Sequence, residues 1–175
     1  YSKKTYKENI LVTEINHSIP NNSPSFEIHR NGSLITSVPS TNKKSAIVMI
    51  DAAEKIDSID LDNLNKIIHG GLSAYLGNTT VNDKYSVFPS ETINAERLYR
   101  NRVMLVGESA HVITPIGAQG LNIGLRDIIT FYNLLSNSNA EDPGAKTILS
   151  SYNNMRWLDI YKRYKSVNLL YQSMM

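Results

Sequence analysis

Cysteine is absent from this 175-residue sequence. That absence excludes a disulfide framework, a thiolate nucleophile and any thiolate metal site. Long apolar runs are also missing: none approaches the ~20 residues that a bilayer-spanning helix needs, and no signal peptide is visible. We therefore expect a cytoplasmic location. Neither sign of charge dominates, and a net charge of +2 gives no general attraction to nucleic acid, so no nucleic-acid partner is expected.

Several signatures of catalytic and binding sites are missing as well. The four histidines form no ligand pattern such as His-Glu-x-x-His, so no metal site is predicted. No Ser-His-Asp order and no paired carboxylates stand out. The dinucleotide fingerprint Gly-x-Gly-x-x-Gly does not occur, and no Lys-Ser/Thr follows a glycine-rich loop as it would in a P-loop.

The first fifty residues alternate between apolar and polar side chains, which is typical of strands. They predict an antiparallel meander, with a loop at 17–25. The sequence Arg30-Asn31-Gly32 is a hairpin signal, and Pro39 is expected to end the strand before it.

The next segment predicts one helix and one strand. Residues 60–76 have apolar side chains at helical spacing, and either Asp60 or Asp62 can cap the start of this helix. Gly77 is expected to end it. Residues 84–88 predict a further strand, which Pro89 is expected to end.

Residues 102–127 are the most informative stretch. Val103 to Val106 is a short continuous apolar run, which predicts a strand buried on both faces. Glycines follow at positions 107, 117, 120 and 124. A helix is then predicted over 122–135, and its inward face is expected to carry Leu121, Leu125, Ile128 and Ile129.

The spacing of these glycines leaves two interpretations open. One is a ligand-binding loop at a helix N-terminus, where free N–H groups and the helix dipole attract an anion or an electron-rich ring. The other is a corner that uses glycine only for tight packing. Beyond this unit, residues 137–141 predict a loop, Asp142-Pro143 is a typical N-cap pair, and a long helix is expected from Ala145 towards Ser173.

The full motif is more specific than its glycine spacing. It reads Gly-Glu-Ser-Ala-His-x-x-x-Pro-x-Gly-Ala-Gln-Gly-Leu-Asn-x-Gly-x-x-Asp over residues 107–127. This string resembles the second FAD-binding motif of the flavin-dependent aromatic hydroxylases, the para-hydroxybenzoate hydroxylase type. Within that group it looks most like the ubiquinone-biosynthesis ring hydroxylases. Leu149-x-x-Tyr152-x-x-x-Arg156 also resembles a segment that follows the motif in this family.

The resemblance implies roles for individual residues. Gly107 would let the chain turn beside the ribityl chain of FAD, and Glu108 stands where the family has an Asp that binds ribityl hydroxyls. Pro115 would sit beside the flavin ring near the substrate, as the catalytic-site residue. The pyrimidine edge of the flavin would be bound, mainly through backbone groups, by Gln119, Gly120, Leu121 and Asn122.

Two positions depart from the family motif. Glu108 replaces Asp, so its carboxylate is one methylene further from the backbone and either the side chain or the ribityl chain must adjust. Ser109 replaces Ala, and we expect this change to be harmless. The chain also begins with Tyr1 and lacks the family's N-terminal fingerprint, so we expect a middle-to-late portion of a longer protein.

The fold class implied by the resemblance is α/β. An antiparallel substrate-domain sheet with a helix is expected over 1–97, and the C-terminal, flavin-ring part of a Rossmann-like FAD domain over 98–175. The implied function is an FAD-dependent monooxygenase that hydroxylates an aromatic ring, most simply a polyprenyl phenol in ubiquinone biosynthesis. FAD, NAD(P)H or another electron donor, O2 and a hydrophobic phenol are the implied cofactors and substrates, and catalysis is expected only within a longer chain.

Two alternative functions stay open. The chain could be a truncated, non-catalytic remnant or assembly partner, which the missing fingerprint and Glu108 favour. It could also keep the flavin and serve a related halogenase or reductase reaction.

Other polar residues have two interpretations each. His111 is expected to be structural, and Arg126-Asp127 is either a surface ion pair or a loop anchor. Arg97 and Arg102 are expected either to lie on the solvated surface or to hold a loop or an anionic group. The basic cluster Lys162-Arg163-x-Lys165, with its neighbouring tyrosines, is either a solvated helix face or a contact to phospholipid headgroups. The second reading would place the protein peripherally at the inner membrane, in a ubiquinone-pathway complex.

Overall fold

The computed structural model describes residues 1–21, 25–30, 32–138 and 142–174. The chain divides into two compact units. The first, here called the motif unit, holds Tyr1–Thr5 and Glu91–Ser173. The second, here called the N-terminal unit, is mainly Tyr6–Ser90. The functional division expected at residues 97/98 stays a prediction.

The sheet of the N-terminal unit consists of β2 (Phe26–Arg30), β3 (Ser33–Thr41), β4 (Lys44–Ala52) and most of two long strands, β1 (Ser2–His17) and β5 (Thr79–Asn94). Their order is β2-β3-β4-β1-β5, and the pairs β2–β3, β3–β4 and β1–β4 are antiparallel. The prediction of antiparallel strands is confirmed. The prediction of a simple meander is wrong for β1, which pairs with β4 because both strands contribute apolar residues to one core.

Prolines do not end the strands as the sequence predicted. β3 continues past Pro39 to Thr41, with a shift of register between these two residues. β5 likewise continues through the exposed Pro89. Proline removes only one hydrogen-bond donor, so a strand tolerates it at a bulge or where its nitrogen faces no neighbour. The hairpin signal at Arg30-Asn31-Gly32 includes Asn31, which lies outside the described residues, as do parts of the two predicted loops at 17–25 and 137–141.

Two helices complete the N-terminal unit. α1 spans Ala53–Asp57 and α2 spans Leu61–Leu76. The predicted caps of α2 are confirmed, because the Asp60 side chain accepts a hydrogen bond from the Asn63 N–H at 2.7 Å and Gly77 ends the helix with a positive φ. The inward face of α2 packs against β1 and β4 in a core that contains Leu11, Ile15, Met49, Leu64, Ile68 and Leu72.

Short elements and two long helices form the motif unit. β6 (Tyr99–Arg100) pairs with β7 (Val103–Met104), and β8 (His111–Val112) pairs with the end of β5. Single 3-10 turns occur at Gly107–Ser109 and Ile116–Ala118. They are followed by α3 (Gly120–Ser136) and α4 (Lys146–Met174).

The strand predicted at 103–106 is shorter and less buried than expected. β7 has two residues, and Val103 is 66% exposed. Among the described residues β7 pairs with β6 alone, so no second neighbouring strand covers it. The apolar run therefore predicted the strand but not its surroundings.

The predicted inward face of α3 is also wrong. Leu121 is 76% exposed, and Leu125, Ile128 and Ile129 are exposed as well. The buried residues of α3 are Ile123 and Asp127. The core of the motif unit lies on that side, where Ile123 joins Leu98, Tyr152 and Ile160. Helical spacing identifies an apolar stripe, but packing decides which stripe is covered.

The start of α4 differs from the expectation in its cap. The first backbone bond of this helix runs from the Leu149 N–H to the Ala145 carbonyl, which makes Ala145 the N-cap residue. The Asp142 carboxylate instead accepts a hydrogen bond from the Gly144 N–H at 2.9 Å and a bidentate pair from Arg102 at 2.8 Å. Arg102 is therefore ion-paired with Asp142, and this pair holds the turn that precedes α4.

Candidate cofactor site

The first part of the site is the turn at Gly107–Ser109. Gly107 has φ +60°, a left-handed conformation that glycine adopts without strain. The turn packs closely on α3, because a Cβ added to Gly124 would lie 3.3 Å from the Gly107 Cα. Glu108 is exposed on this turn, so its carboxylate is accessible to a ligand.

Ser109 closes the same turn. Its hydroxyl accepts a hydrogen bond from the Val106 N–H at 3.0 Å and donates one to the Val106 carbonyl at 2.8 Å. Alanine could make neither bond, and the expectation that Ser in place of Ala is harmless stays a prediction.

Asp127 anchors this turn from α3. It is 0% exposed. One carboxylate oxygen accepts the Gly107 N–H at 3.0 Å and His111 Nε2 at 2.8 Å, and the other accepts Arg156 Nε at 2.7 Å. The expected loop-anchoring role is therefore observed. The alternative of a surface ion pair with Arg126 is wrong, because the cationic partner is Arg156 of α4.

The charges of this network are fixed by its contacts. Burial alone would raise the pKa of Asp127, but the hydrogen bonds from His111, Gly107 and Arg156 outweigh burial and lower the pKa. Burial would lower the pKa of Arg156, but Asp127 and Asp159 raise it. The network is thus a carboxylate paired with a guanidinium. His111 belongs to it as a structural residue, as expected from the sequence.

Tyr152 links α4 to Leu105, which lies just before the turn at Gly107–Ser109. Its hydroxyl donates a hydrogen bond to the Leu105 carbonyl at 3.0 Å. Burial, followed by the nearby Asp127 charge, raises the pKa of this phenol above its ordinary value, so Tyr152 stays protonated and keeps the bond.

The second part of the site is the turn at Ile116–Ala118 and the start of α3. Pro115 precedes the turn, and Gly117 and Ala118 both have positive φ, +69° and +49°. The first helical bond of α3 runs from the Ile123 N–H to the Gln119 carbonyl at 3.0 Å. The N–H groups of residues 120–122 therefore have no acceptor within the helix.

Open space adjoins this helix start. A Cβ added to Gly120 would meet no atom within 4 Å, so packing within the chain does not require glycine there. A cavity of about 790 Å³ lies nearby, and its lining includes Gly117, Gln119, Asn122, Arg126, Arg156 and Arg163. One of these arginines contacts a predicted site residue: Arg163 Nη1 donates to Gln119 Oε1 at 3.3 Å.

The structure brings together only part of the predicted site. Gln119 and Asn122 line the cavity, whereas Gly120 and the exposed Leu121 do not. Gly107, Glu108 and Pro115 do not line the cavity. Gly107 is nevertheless tied to α3 through Asp127 and Gly124, so both turns are fixed to the same helix.

The chemistry of the donors fits a ring with carbonyl acceptors. Unpaired N–H groups at a helix start, the positive end of the helix dipole and nearby guanidinium groups all stabilise negative charge. The open space at Gly120 lets a flat group lie close to the backbone. Among the described residues, no three His, Asp or Glu side chains come together as metal ligands.

Sequence reasoning missed two contacts of this site. Arg156 stood in the quoted Leu-x-x-Tyr-x-x-x-Arg segment, and its pairing with the motif's final Asp could have been suggested by that coincidence. The contact between Arg163 and Gln119 joins residues 44 positions apart and has no local sequence signal.

These features define an α/β protein in which the start of a helix presents donors that suit a ring or an anion. The chain belongs to the FAD binding domain family, whose profile matches residues 5–160. The resemblance deduced from the motif is thereby confirmed.

Curated relatives include a ubiquinone hydroxylase and a ubiquinone biosynthesis monooxygenase. The chain is 25% identical over 170 residues to the ubiquinone hydroxylase UbiM of Neisseria meningitidis, a match that covers 94% of this chain and 37% of the relative. It is 34% identical over 73 residues to the mitochondrial ubiquinone biosynthesis monooxygenase COQ6 of Rattus norvegicus, covering 41% of this chain and 15% of the relative.

Solved structures show the same fold. PqsL of Pseudomonas aeruginosa, described as a probable FAD-dependent monooxygenase, superposes with a TM-score of 0.79 at 17% identity, over 99% of this chain and 50% of PqsL. The predicted α/β class is therefore confirmed. The chain spans half or less of the length of each of these relatives.

Proposed function

We propose that this protein is part of an FAD-dependent monooxygenase that hydroxylates an aromatic ring. The proposed substrate is a polyprenyl phenol of ubiquinone synthesis. The observation that carries the proposal is the start of α3, where free N–H groups at 120–122 adjoin open space at Gly120. The names of the relatives UbiM and COQ6 support the reaction class and the substrate.

Each residue of the proposed site has a defined task. The N–H groups of Gly120, Leu121 and Asn122 hold the pyrimidine edge of the flavin and stabilise negative charge there. Glu108 holds ribityl hydroxyls beside the Gly107 turn. Pro115 borders the substrate. FAD, when bound, supplies the redox and oxygen chemistry, with O2 as co-substrate and NAD(P)H or another donor as the source of electrons.

The outer face of α4 supports a peripheral membrane contact. Trp157 and Tyr161 stack with ring centroids 5.2 Å apart, and Lys165 Nζ lies 5.5 Å from the Tyr161 ring centroid. Aromatic side chains combined with lysine favour the headgroup region of an anionic bilayer, where a polyprenyl substrate would reside. No helix among the described residues is long and apolar enough to span a bilayer.

The flavin site is tested by replacing Gly120 with valine. The Gly120→Val side chain would fill the space that the flavin needs, and we expect retention of FAD to be abolished. Binding is measured by titrating the purified chain with FAD and following the quenching of flavin fluorescence.

Gly70→Val is the matched control for this test. Gly70 is also a helical glycine whose added Cβ would meet no atom within 4 Å, but it lies in α2 of the N-terminal unit. We expect this control to bind FAD like the unaltered chain. Equal flavin content in Gly120→Val would refute the site, and no binding by the unaltered chain would favour a non-catalytic role.

A further inference from the structure

A row of charged side chains runs along α4. Arg156, Asp159 and Arg163 recur at spacings of three and four, so they lie on one side of the helix. Arg156 Nη1 contacts one oxygen of Asp159 at 2.7 Å, and Arg163 Nε contacts the other at 3.1 Å. Burial would raise the pKa of Asp159, but the two arginines outweigh burial and lower the pKa. Asp159 is therefore a carboxylate that holds both guanidinium groups.

The two ends of this row reach the two turns of the candidate site. At one end Arg156 binds Asp127, which accepts the Gly107 N–H. At the other end Arg163 donates to Gln119 Oε1. One row of ion pairs on α4 thus supports the turn at Gly107–Ser109 and the residue that precedes α3.

The contact with Arg163 decides the orientation of the Gln119 amide. A guanidinium group has donors and no acceptor, so only the amide oxygen can face it. The amide nitrogen is then left as a donor, and it lies 3.8 Å from where a Cβ on Gly117 would be. The nitrogen therefore faces the positive-φ turn beside the helix start.

The result is a helix start at which donors predominate, although Asn122 and Thr130 also line the cavity and carry oxygen atoms that can accept. The N–H groups of residues 120–122, the Gln119 amide nitrogen and the cavity's guanidinium groups can all donate, and none of them can accept. Such a surface favours a ligand edge that is rich in carbonyl oxygens and unprotonated ring nitrogens. The N1 and O2 side of the pyrimidine ring of an oxidised flavin is an edge of this kind.

We propose that Arg163 is a positioning residue that fixes the Gln119 amide with its nitrogen towards the ligand, so that the site selects an acceptor-rich ring edge. The identity of the ring rests on the proposed function, whereas the orientation of the amide does not. The two parts are therefore tested separately.

The first experiment measures the amide without any ligand. In a 15N-labelled chain, the side-chain NH2 signals of Gln119 are identified by their loss in Gln119→Glu. We expect them to lie away from the position of a free glutamine in the unaltered chain and to move to that position in Arg163→Gln. Lys162→Gln, an exposed neighbour with the same change of charge, leaves them in place. Free-glutamine signals in the unaltered chain would overturn the proposal.

The second experiment measures affinity, with FAD and riboflavin as probes. Loss of the hydrogen bond that orients the Gln119 amide should weaken binding about tenfold. We expect this loss of affinity for both probes in Arg163→Gln and for neither probe in Lys162→Gln. Arg163→Lys keeps a donor for Gln119 Oε1 and should recover part of the affinity. Thermal melting of each variant shows that the fold persists, as the partly exposed position of Arg163 predicts.

The outcomes separate the two proposals. Flavin binding that is unchanged in Arg163→Gln overturns the positioning role. Failure of the unaltered chain to bind either probe, together with an ordered Gln119 amide that Arg163→Gln releases, removes the flavin function and retains the positioning role.

Discussion

Ser109 shows how much a single hydroxyl contributes at the site. It replaces the alanine of the resembled motif and makes two hydrogen bonds to Val106, on the turn that presents Glu108. Because Glu108 also departs from the motif, the turn carries two adjacent changes. The two bonds of Ser109 close the turn and fix the backbone from which the Glu108 side chain starts.

The contribution of Ser109 is tested by Ser109→Ala. Both bonds lie at an exposed turn, where a hydrogen bond stabilises the fold by about 0.5–1.5 kcal/mol. We expect a loss of about 1 kcal/mol in the free energy of unfolding, measured by urea denaturation. Ser166→Ala is the control, because its hydroxyl bonds only to a helix carbonyl in α4 and should change stability by less than about 0.5 kcal/mol. Equal effects of the two changes would contradict the capping role of Ser109.

The packing of α3 on the Gly107 turn depends on two glycines that face each other. The helix alone would gain about 1 kcal/mol from alanine in place of glycine. At Gly124, however, the added Cβ would lie 3.3 Å from the Gly107 Cα. That neighbour is backbone held by Asp127, so it cannot move aside as a flexible side chain would.

Gly124→Ala is therefore expected to destabilise the protein. The strain of overpacking, about 1–3 kcal/mol, exceeds the gain in helix propensity, and the Tm should fall. Gly70→Ala is the opposite case, because its Cβ would meet open space, and its Tm should rise. The two melting curves are recorded by circular dichroism at one pH, and the prediction is checked by whether each Tm rises or falls. A rise in both variants would show that the turn and α3 can separate.

The stability of the whole molecule depends on pH through the buried network around Asp127. The pKa of Asp127 is lowered in the folded state, so the folded state binds its proton less readily than the unfolded chain does. The stability that this carboxylate contributes is complete above the unfolded pKa of about 3.9. It is lost as the pH falls below that value and through the folded pKa.

Asp127→Asn should remove this part of the acid sensitivity. The variant is also less stable near neutral pH by about 1–3 kcal/mol, because the buried Arg156 loses one of its two carboxylate partners and keeps Asp159. Denaturation midpoints measured between pH 3 and pH 7 should vary less with pH than those of the unaltered chain. Asp62→Asn, an exposed acidic residue in the first turn of α2, should keep the original dependence. If the midpoints of Asp127→Asn fell with pH as much as those of the unaltered chain, other carboxylates would cause the loss of stability in acid.

Much of this molecule follows from the sequence alone. The motif at 107–127 identified the family, and the α/β class followed from it. The caps of α2 at Asp60 and Gly77 were also predicted correctly. These features are local: a motif, a cap or a turn is specified by residues that are close together in the chain, so spacing and residue type are sufficient to recognise them.

Tertiary structure alone decided how those local features are combined. Leu125 and Ile129 lie on the apolar stripe of α3, yet Ile123 and Asp127 are the residues that face the core. Arg163 reaches Gln119 from a distant helix. The burial of a face and the partner of a charge depend on which elements pack together. That packing minimises the free energy of the whole chain, and no single segment of the sequence contains it.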